Sequence, residues 1–349
     1  MGRSGVTQRD HLKETANRLV ADGRGLLAMD ESNGTCNKRF AQANIPPTLE
    51  MRREWRDLLI TTPHLGDCIS GAILYDETIR EADEHGAKFV DLLTHAGIAV
   101  GIKVDTGAKT MAGHPGETIT EGLDGLRERL QAYAKMGAVF AKWRAVISLG
   151  MGLPTRACIE ANAHALARYA ALCQESGIVP VVEPEVLMDG DHTLEHSRAA
   201  TQEVLHTVFD QLYRQGVRLD GMVLKANMIL PGLACTRQET ADVVAEATVE
   251  TLRRVVPAAV PGVAFLSGGQ SGELASARLN QMNVLARTLS LPWKLAFSFA
   301  RALQMPALTI WHGDPSRRDA AQAALNHRAR CNLAALRGEY ETSMELQHA

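Results

Sequence analysis

No two of the six cysteines, Cys36, Cys68, Cys158, Cys173, Cys235 and Cys331, form a C-x-x-C pair, and no signal-like apolar segment stands near Met1, where residues 1–9 are short and polar. Both absences point to a reduced, cytoplasmic protein. No run reaches the roughly 18 apolar residues that a bilayer-spanning helix needs, so no membrane role is expected. Long basic blocks are also missing and the formal charge is only -3, which leaves nucleic acid and anionic membranes without an electrostatic handle. Nothing of low complexity and no short internal repeat occurs. Two nucleotide signatures are absent as well: no G-x-G-x-x-G follows the first strand-like segment, and no G-x-x-x-x-G-K-[ST] occurs anywhere.

What remains is an ordinary globular composition, 46% hydrophobic and 22% charged over 349 residues. Eight strand-like runs lie at 25–30, 69–75, 98–105, 138–146, 178–185, 221–227, 262–269 and 295–300. Between most of them sit stretches with helical apolar periodicity, at 123–136, 155–174, 193–213, 239–256 and 273–289. Strand starts recur about every 30 to 45 residues, the rhythm of βα units joined by right-handed crossovers. This predicts an α/β fold, a closed (β/α)8 barrel forming a single domain over 1–349, with its strands within 25–300. A covering helix over 8–21 precedes it, with Leu12, Ala16, Leu19 and Val20 on one face, and an alanine-rich helix with a polar tail follows at 314–349. A doubly wound open sheet is the runner-up, without a nucleotide signature to support it.

The charges fall in a pattern that a barrel makes meaningful. In a strand, residues two apart share a face, and four runs carry polar pairs at that spacing: Lys103 with Asp105, Lys142 with Arg144, Glu183 with Glu185, and Lys225 with Asn227. Facing inward near the C-terminal mouth, they bring three lysines, an arginine and two glutamates to the place where barrel enzymes keep their active sites. A structural ion-pair layer is the bland alternative, but a barrel interior is normally filled with branched apolar side chains and ionic filling is costly. Lys225 ends a short buried strand, where an unpartnered lysine is rare. The sharper reading is a nucleophilic amine that forms a Schiff base with a carbonyl substrate. Neutralising a free lysine at pH 7 costs roughly 4.6 kcal/mol, and cations such as Lys142 and Arg144 are expected to lower that cost for a neighbour. The glutamates would supply proton transfer.

Anion binding has separate signals. Ser267-Gly268-Gly269 ends the seventh run, where glycines let backbone N–H groups approach an anion, and Arg301 follows the eighth with a guanidinium fork. The loops after strands seven and eight are the usual phosphate site of such barrels.

With these residues in view, the chain resembles class I fructose-bisphosphate aldolase, the metal-independent Schiff-base type, over nearly its whole length. The matching runs are Leu27-Ala-Met-Asp-Glu-Ser32, Val100-Gly-Ile-Lys-Val-Asp105, Phe140-Ala-Lys-Trp-Arg144, Ile178-Val-Pro-Val-Val-Glu-Pro-Glu185, Leu224-Lys-Ala-Asn-Met228 and Phe265-Leu-Ser-Gly-Gly-Gln-Ser271. The resemblance implies a cytosolic homotetrameric lyase of glycolysis and gluconeogenesis that needs no cofactor or metal. Its reaction would be the reversible cleavage of fructose 1,6-bisphosphate into dihydroxyacetone phosphate and glyceraldehyde 3-phosphate. Carried over by motif, Lys225 is the Schiff-base lysine and Glu183 the acid/base, assisted by Lys142 and Glu185. Asp30 would orient substrate hydroxyls and take part in C–C cleavage. Ser267, Gly268, Gly269, Ser298 and Arg301 match the ketose-side phosphate site, and Thr35, Lys38, Arg39 and Lys103 the region of the other phosphate, beside Arg144.

The chain departs from the family in places. It has Leu224-Lys-Ala-Asn227 where Leu-Lys-Pro-Asn is common, and Ser298-Phe-Ala-Arg301 where Ser-Tyr-Gly-Arg is. Position 35 carries threonine for the frequent serine. Animal members end in a longer tail whose terminal tyrosine assists proton transfer, whereas this sequence ends at Gln347-His-Ala349, and Tyr340 is not promoted to that role on position alone. His192-Thr-Leu-Glu-His196 matches an H-x-x-E-H zinc pattern, but it opens an expected outer helix without a third ligand, and solvated or packed histidines are the simpler reading. The alternatives are another Schiff-base barrel, of transaldolase or deoxyribose-phosphate aldolase type, and a catalytically silent barrel scaffold.

Overall fold

The strands owe their closure to being apolar on both faces, so that each has to be covered by helices outside and by its neighbours within. In the computed structural model the described residues are 8–21 and 23–348, and the reading of residues 1–7 and of Ala349 lies outside them. In chain order the elements are α1 (Gln8–Val20), β1 (Gly25–Ala28), α2 (Asn33–Gln42), α3 (Leu49–Ile60), β2 (Ile69–Leu74), α4 (Asp76–Ile79), α5 (Phe89–His95), β3 (Ala99–Lys103), β4 (Gly107–Thr110) and β5 (Thr118–Glu121). They continue with α6 (Leu126–Lys135), β6 (Phe140–Ile147), α7 (Arg156–Glu175), β7 (Val179–Val186), α8 (Leu194–Arg214), β8 (Val223–Ala226), α9 (Ala241–Val255), β9 (Gly262–Phe265), α10 (Gly272–Leu289), β10 (Lys294–Phe299), α11 (Arg301–Trp311) and α12 (Arg318–Leu336). The barrel closes in the order β1-β10-β9-β8-β7-β6-β3-β2, with parallel pairing throughout.

Helix starts follow local chemistry. Ser32, Thr48, Thr155, Thr193 and Ser271 each accept a backbone N–H of the first turn that follows, for α2, α3, α7, α8 and α10. Each such cap contributes about 1 kcal/mol. The helix expected to cover the barrel at 8–21 does something more specific: α1 plugs the N-terminal end. Leu12, Ala16, Leu19 and Val20 pack with Leu26, Ile73, Phe140, Val179, Val181 and Val223 of the barrel interior. Glycines make room for it, since a Cβ on Gly262 would stand 2.7 Å from Val20 Cγ2. Below the mouth the interior is therefore dry and filled, and each fully buried leucine there contributes on the order of 1.5–3 kcal/mol.

Several elements differ from the sequence reading. The strand expected at 221–227 is only Val223–Ala226, because Leu219–Gly221 forms a 3-10 turn. The antiparallel hairpin β4–β5 was not anticipated; it leans on β6 through the Thr118 and Thr120 hydroxyls, which donate to the carbonyls of Val146 (3.0 Å) and Arg144 (2.8 Å). The short helices α4 and α5, and α11, also went unread. Residues expected as a polar tail are docked instead: Tyr340 is buried, and Glu345 pairs with buried Arg328 of α12. Among the described residues no helix is long and apolar enough to cross a membrane.

At Gly101 of β3 an added Cβ would lie 2.2 Å from Phe140 Cζ, and Phe140 is fully buried. Gly101→Ala is expected to cost about 1–3 kcal/mol by overpacking, read as a lower urea midpoint, with Phe140→Leu in the same chain restoring part of the loss. An unchanged midpoint for the single variant would contradict this packing.

Candidate active site

At the C-terminal mouth the strands end in the charged residues singled out above, around a cavity of ≈ 540 Å³. Asp30, Thr35, Lys38, Arg39, Lys103, Lys142, Arg144, Glu183, Glu185, Lys225, Ser267, Gly268, Ser298 and Arg301 all line it. Gly269 stands behind the wall, where a Cβ would come 3.3 Å from Arg301 Nη2.

The floor is a continuous line of alternating charge running across four strands. Asp30 Oδ2 lies 2.6 Å from Lys142 Nζ, which is 3.4 Å from Glu183 Oε2, while Glu183 Oε1 is 3.0 Å from Lys225 Nζ. All four side chains are buried or nearly so. Flanking pairs complete the layer: Lys103 Nζ with Asp105 Oδ1 at 3.0 Å, and Arg144 with Glu185. Four carboxylates thus meet four cations, so the floor is close to neutral. Burial works against charge on Asp30, yet Lys142 and then Lys225 outweigh it and hold the carboxyl well below its usual range. Glu183 is likewise opposed by burial and held low by Lys225, Lys142 and Arg144. For Lys142 burial again opposes, but Asp30 and Glu183 carry its pKa well above the ordinary lysine value. The cations expected to help keep Lys225 nucleophilic are joined by a carboxylate: Glu183 sits between Lys142 and Lys225 and touches both.

Two sides of the mouth are suited to anions. Ser267 to Gln270 form a tight turn, with the Gln270 N–H donating to Ser267 O at 3.0 Å. Gly268 and Gly269 adopt φ of 59° and 98°, left-handed values that explain the two glycines. A Cβ at Gly268 would also strike Met188 Cε at 2.1 Å. The turn leads into the N-terminus of α10, whose exposed backbone N–H groups favour negative charge. Ser298 Oγ is buried without a protein hydrogen-bond partner, and Arg301 has no ion-pair partner among the described residues. Ala300 has a negative φ of -105°, so its replacement of glycine brings no left-handed strain. Opposite, α2 presents Thr35, Lys38 and Arg39; Lys38, too, has no ion-pair partner among the described residues, and Lys103 lies 5.8 Å from the centre of the Tyr75 ring.

Some expectations fail in detail. Asn227, read as facing inward with Lys225, turns outward: its Oδ1 accepts from the Val186 N–H at 3.1 Å and its Nδ2 donates to Thr201 Oγ1 at 3.2 Å. His192 and His196 stand edge to face with ring centres 6.3 Å apart, and both His192 nitrogens are buried without a hydrogen-bond partner among the described residues. Tyr340 OH donates to Glu345 Oε1 at 2.8 Å beside α12 and does not line the cavity. Sequence reasoning missed Gly107 and Ala108 of the hairpin, which line the mouth, although Thr118-Ile-Thr-Glu121 carries the alternation of a half-buried strand. It also missed Glu31, Arg56 and Gln304 beneath α2, although Glu31 lies inside the Leu27–Ser32 motif.

Comparison with known proteins gives one answer. The family model described as "Fructose-bisphosphate aldolase class-I" matches residues 11–349. A probable fructose-bisphosphate aldolase class 1 of Xanthomonas campestris is 51% identical, covering 95% of this chain and 99% of its own. Human fructose-bisphosphate aldolase B is 46% identical over 95% of this chain and 91% of its own. Among solved structures, fructose-bisphosphate aldolase of Plasmodium falciparum, in ternary complex with TRAP and a small molecule inhibitor, superposes with a TM-score of 0.94 at 45% identity, covering 97% of this chain and 98% of that one.

The ionic floor has a pH signature. Depressed carboxyls at Asp30 and Glu183 contribute stability that is present above the unfolded carboxylate value of about 4 and is lost as pH falls toward their folded values. The raised Lys142 contributes below the ordinary lysine value of about 10.4 and loses its contribution only as pH rises through its folded value. Urea midpoints are expected to drop from about pH 5 to pH 3, and Asp30→Asn to flatten that drop while lowering the midpoint at pH 7 by breaking a buried pair. An Asp30→Asn profile parallel to the parent's would rule out this assignment.

Proposed function

The chain belongs to the class I fructose-bisphosphate aldolase family, and from that membership we propose how the barrel mouth divides the work of catalysis. The activity is the glycolytic lyase reaction, the reversible cleavage of fructose 1,6-bisphosphate into dihydroxyacetone phosphate and glyceraldehyde 3-phosphate. The residue roles rest chiefly on one observation: Glu183 bridges two buried lysines, with Lys225 the nearer, at 3.0 Å.

At that distance Glu183 can take a proton from the Lys225 ammonium. The freed amine attacks the C2 carbonyl, an N–C bond forms, and the carbonyl oxygen receives a proton from Glu183 to give a carbinolamine. Glu183, now a carboxylate again, takes a proton from the carbinolamine nitrogen and delivers it to the new hydroxyl, which leaves as water and gives an iminium. Asp30 then accepts the proton of the 4-hydroxyl as the C3–C4 bond breaks; the bond's electrons pass to the iminium, giving an enamine and releasing the aldehyde. Protonation at C3 and hydrolysis return the ketone and the free lysine. Lys142 stays an ammonium through these steps and keeps Asp30 and Glu183 oriented, and Glu185 holds Arg144. Ser267, Gly268, Gly269, Ser298 and Arg301 would take the ketose-side phosphate, and Thr35, Lys38, Arg39, Lys103 and Arg144 the other. Two uncompensated cations on α2 and α11 favour a sugar phosphorylated at both ends over the substrates of transaldolase or deoxyribose-phosphate aldolase. Family membership also supports a homotetramer working in the cytosol without a metal, which predicts a particle of about four times the 37.8 kDa chain mass in sedimentation.

Borohydride added with dihydroxyacetone phosphate is expected to trap a covalent adduct that maps to Lys225, and Lys225→Met to abolish both adduct and cleavage. Glu183→Gln should reduce kcat by about 10²–10⁴. Cleavage should be insensitive to EDTA. A folded protein that yields no adduct would favour the silent scaffold instead.

A further inference from the structure

The residue next to Asp30 is a second buried carboxylate that points away from the reacting amine. Glu31 Oε1 accepts from Arg39 of α2 and from Gln304 Nε2 of α11 at 3.1 Å, while Oε2 accepts from Arg56 Nη1 of α3 at 2.8 Å. Its backbone carbonyl takes a further bond from Arg56 Nη2 at 3.2 Å, and Gln304 Nε2 also donates to Ala28 O of β1 at 2.6 Å. Three helices are thus tied to one loop of the barrel. Arg56 is buried at 3% exposure, so Glu31 neutralises it where it is, whereas Arg39, at 18%, is the member of the cluster that reaches the cavity. Only one Arg39 guanidinium nitrogen, Nη1, is engaged by Glu31, and the side chain lines the cavity, so the fork keeps donors not used by Glu31. Gln304 sits one helical turn beyond Arg301, so the same carboxylate also touches the helix that carries the cation of the opposite side.

We propose that Glu31 is a positioning residue for substrate choice: by holding Arg39 against α2 it sets the phosphate grip on the aldehyde side, and so the preference for a ketose phosphorylated at both ends over one phosphorylated only beside the ketone. The inference rests on the proposed placement of that second phosphate near α2. Glu31 touches neither the reacting carbons nor Lys225; it acts through Arg39. Gln304 and Arg56 anchor it, because a free-swinging glutamate would pair with Arg39 without fixing where the guanidinium points.

The test compares kcat/KM for fructose 1,6-bisphosphate and for fructose 1-phosphate in the parent, Glu31→Gln, Arg39→Gln and the double variant, with borohydride trapping at Lys225 run on each. Glu31→Gln is expected to lower the bisphosphate-to-monophosphate ratio about tenfold, mostly through KM for the bisphosphate, the scale of one misplaced charge-assisted hydrogen bond. Fructose 1-phosphate cleavage and the Lys225 adduct should stay within about twofold of the parent. The double variant should fall no further than Arg39→Gln, since one residue works through the other. Additive losses, an unchanged ratio, or equal losses on both sugars would overturn the proposal. If Glu31→Gln fails to fold because Arg56 loses its partner, Glu31→Asp keeps the charge beside Arg56 but shortens the reach to Arg39, and its ratio should still fall; a parental ratio there overturns it equally. A parent that cleaves neither sugar nor forms the adduct would be a failure of the underlying catalytic reading, distinct from these outcomes.

Discussion

The contact on which the site depends is the double grip of Glu183, one carboxylate oxygen on Lys225 and the other toward Lys142. Four buried ionic side chains are an expensive way to floor a barrel mouth, since a buried pair rarely recovers the cost of desolvating both members. Here the expense is limited by alternation. Asp30, Lys142, Glu183 and Lys225 lie in a line with opposite signs at each step, and Lys103–Asp105 and Arg144–Glu185 extend it. No cation in the floor lacks a carboxylate, and the proposed proton movement between Glu183 and Lys225 would rearrange charge inside the layer without adding any.

Charge compensation also separates the chemistry from the holding of substrate. The floor is balanced, while Arg301 and Lys38 stand outside it on opposite walls. A bisphosphorylated sugar would meet excess positive charge at its ends and a neutral, proton-mobile layer at its middle. The glycine turn at 268–269 adds backbone donors on one side, and its left-handed angles, together with the nearness of Met188, leave no room for a larger residue.

Much of this could be read from the chain because barrel strands are short and regular. The period-two pairs at 103/105, 142/144 and 183/185 identified the inward face, and the order of strands and helices followed from apolar rhythm and turn residues. What could not be read has physical reasons. Asn227 shares the spacing of an inward residue but lies past the last ladder residue of β8, where the chain is free to turn toward α8. Sequence showed that cations cluster, but their effect on one another depends on which carboxylates come between them, and that is a matter of ångströms. The Glu31 scaffold joins residues 28, 31, 39, 56 and 304, and no local pattern announces contacts across such separations. The hairpin at 107–121 was legible in part from Thr118-Ile-Thr-Glu121 but was masked by the larger βα rhythm.

The helix that stoppers the N-terminal end has an implication for how the molecule can vary. Since α1 and the ring around Phe140 seal the lower storey, the volume in which sugar and water can move is confined to one end, and the two halves of the same eight strands answer to different demands. Leu12, Leu19, Val179 and Val223 need only similar bulk to keep that plug filled, whereas the charged layer a few side chains above depends on the identity and reach of each group.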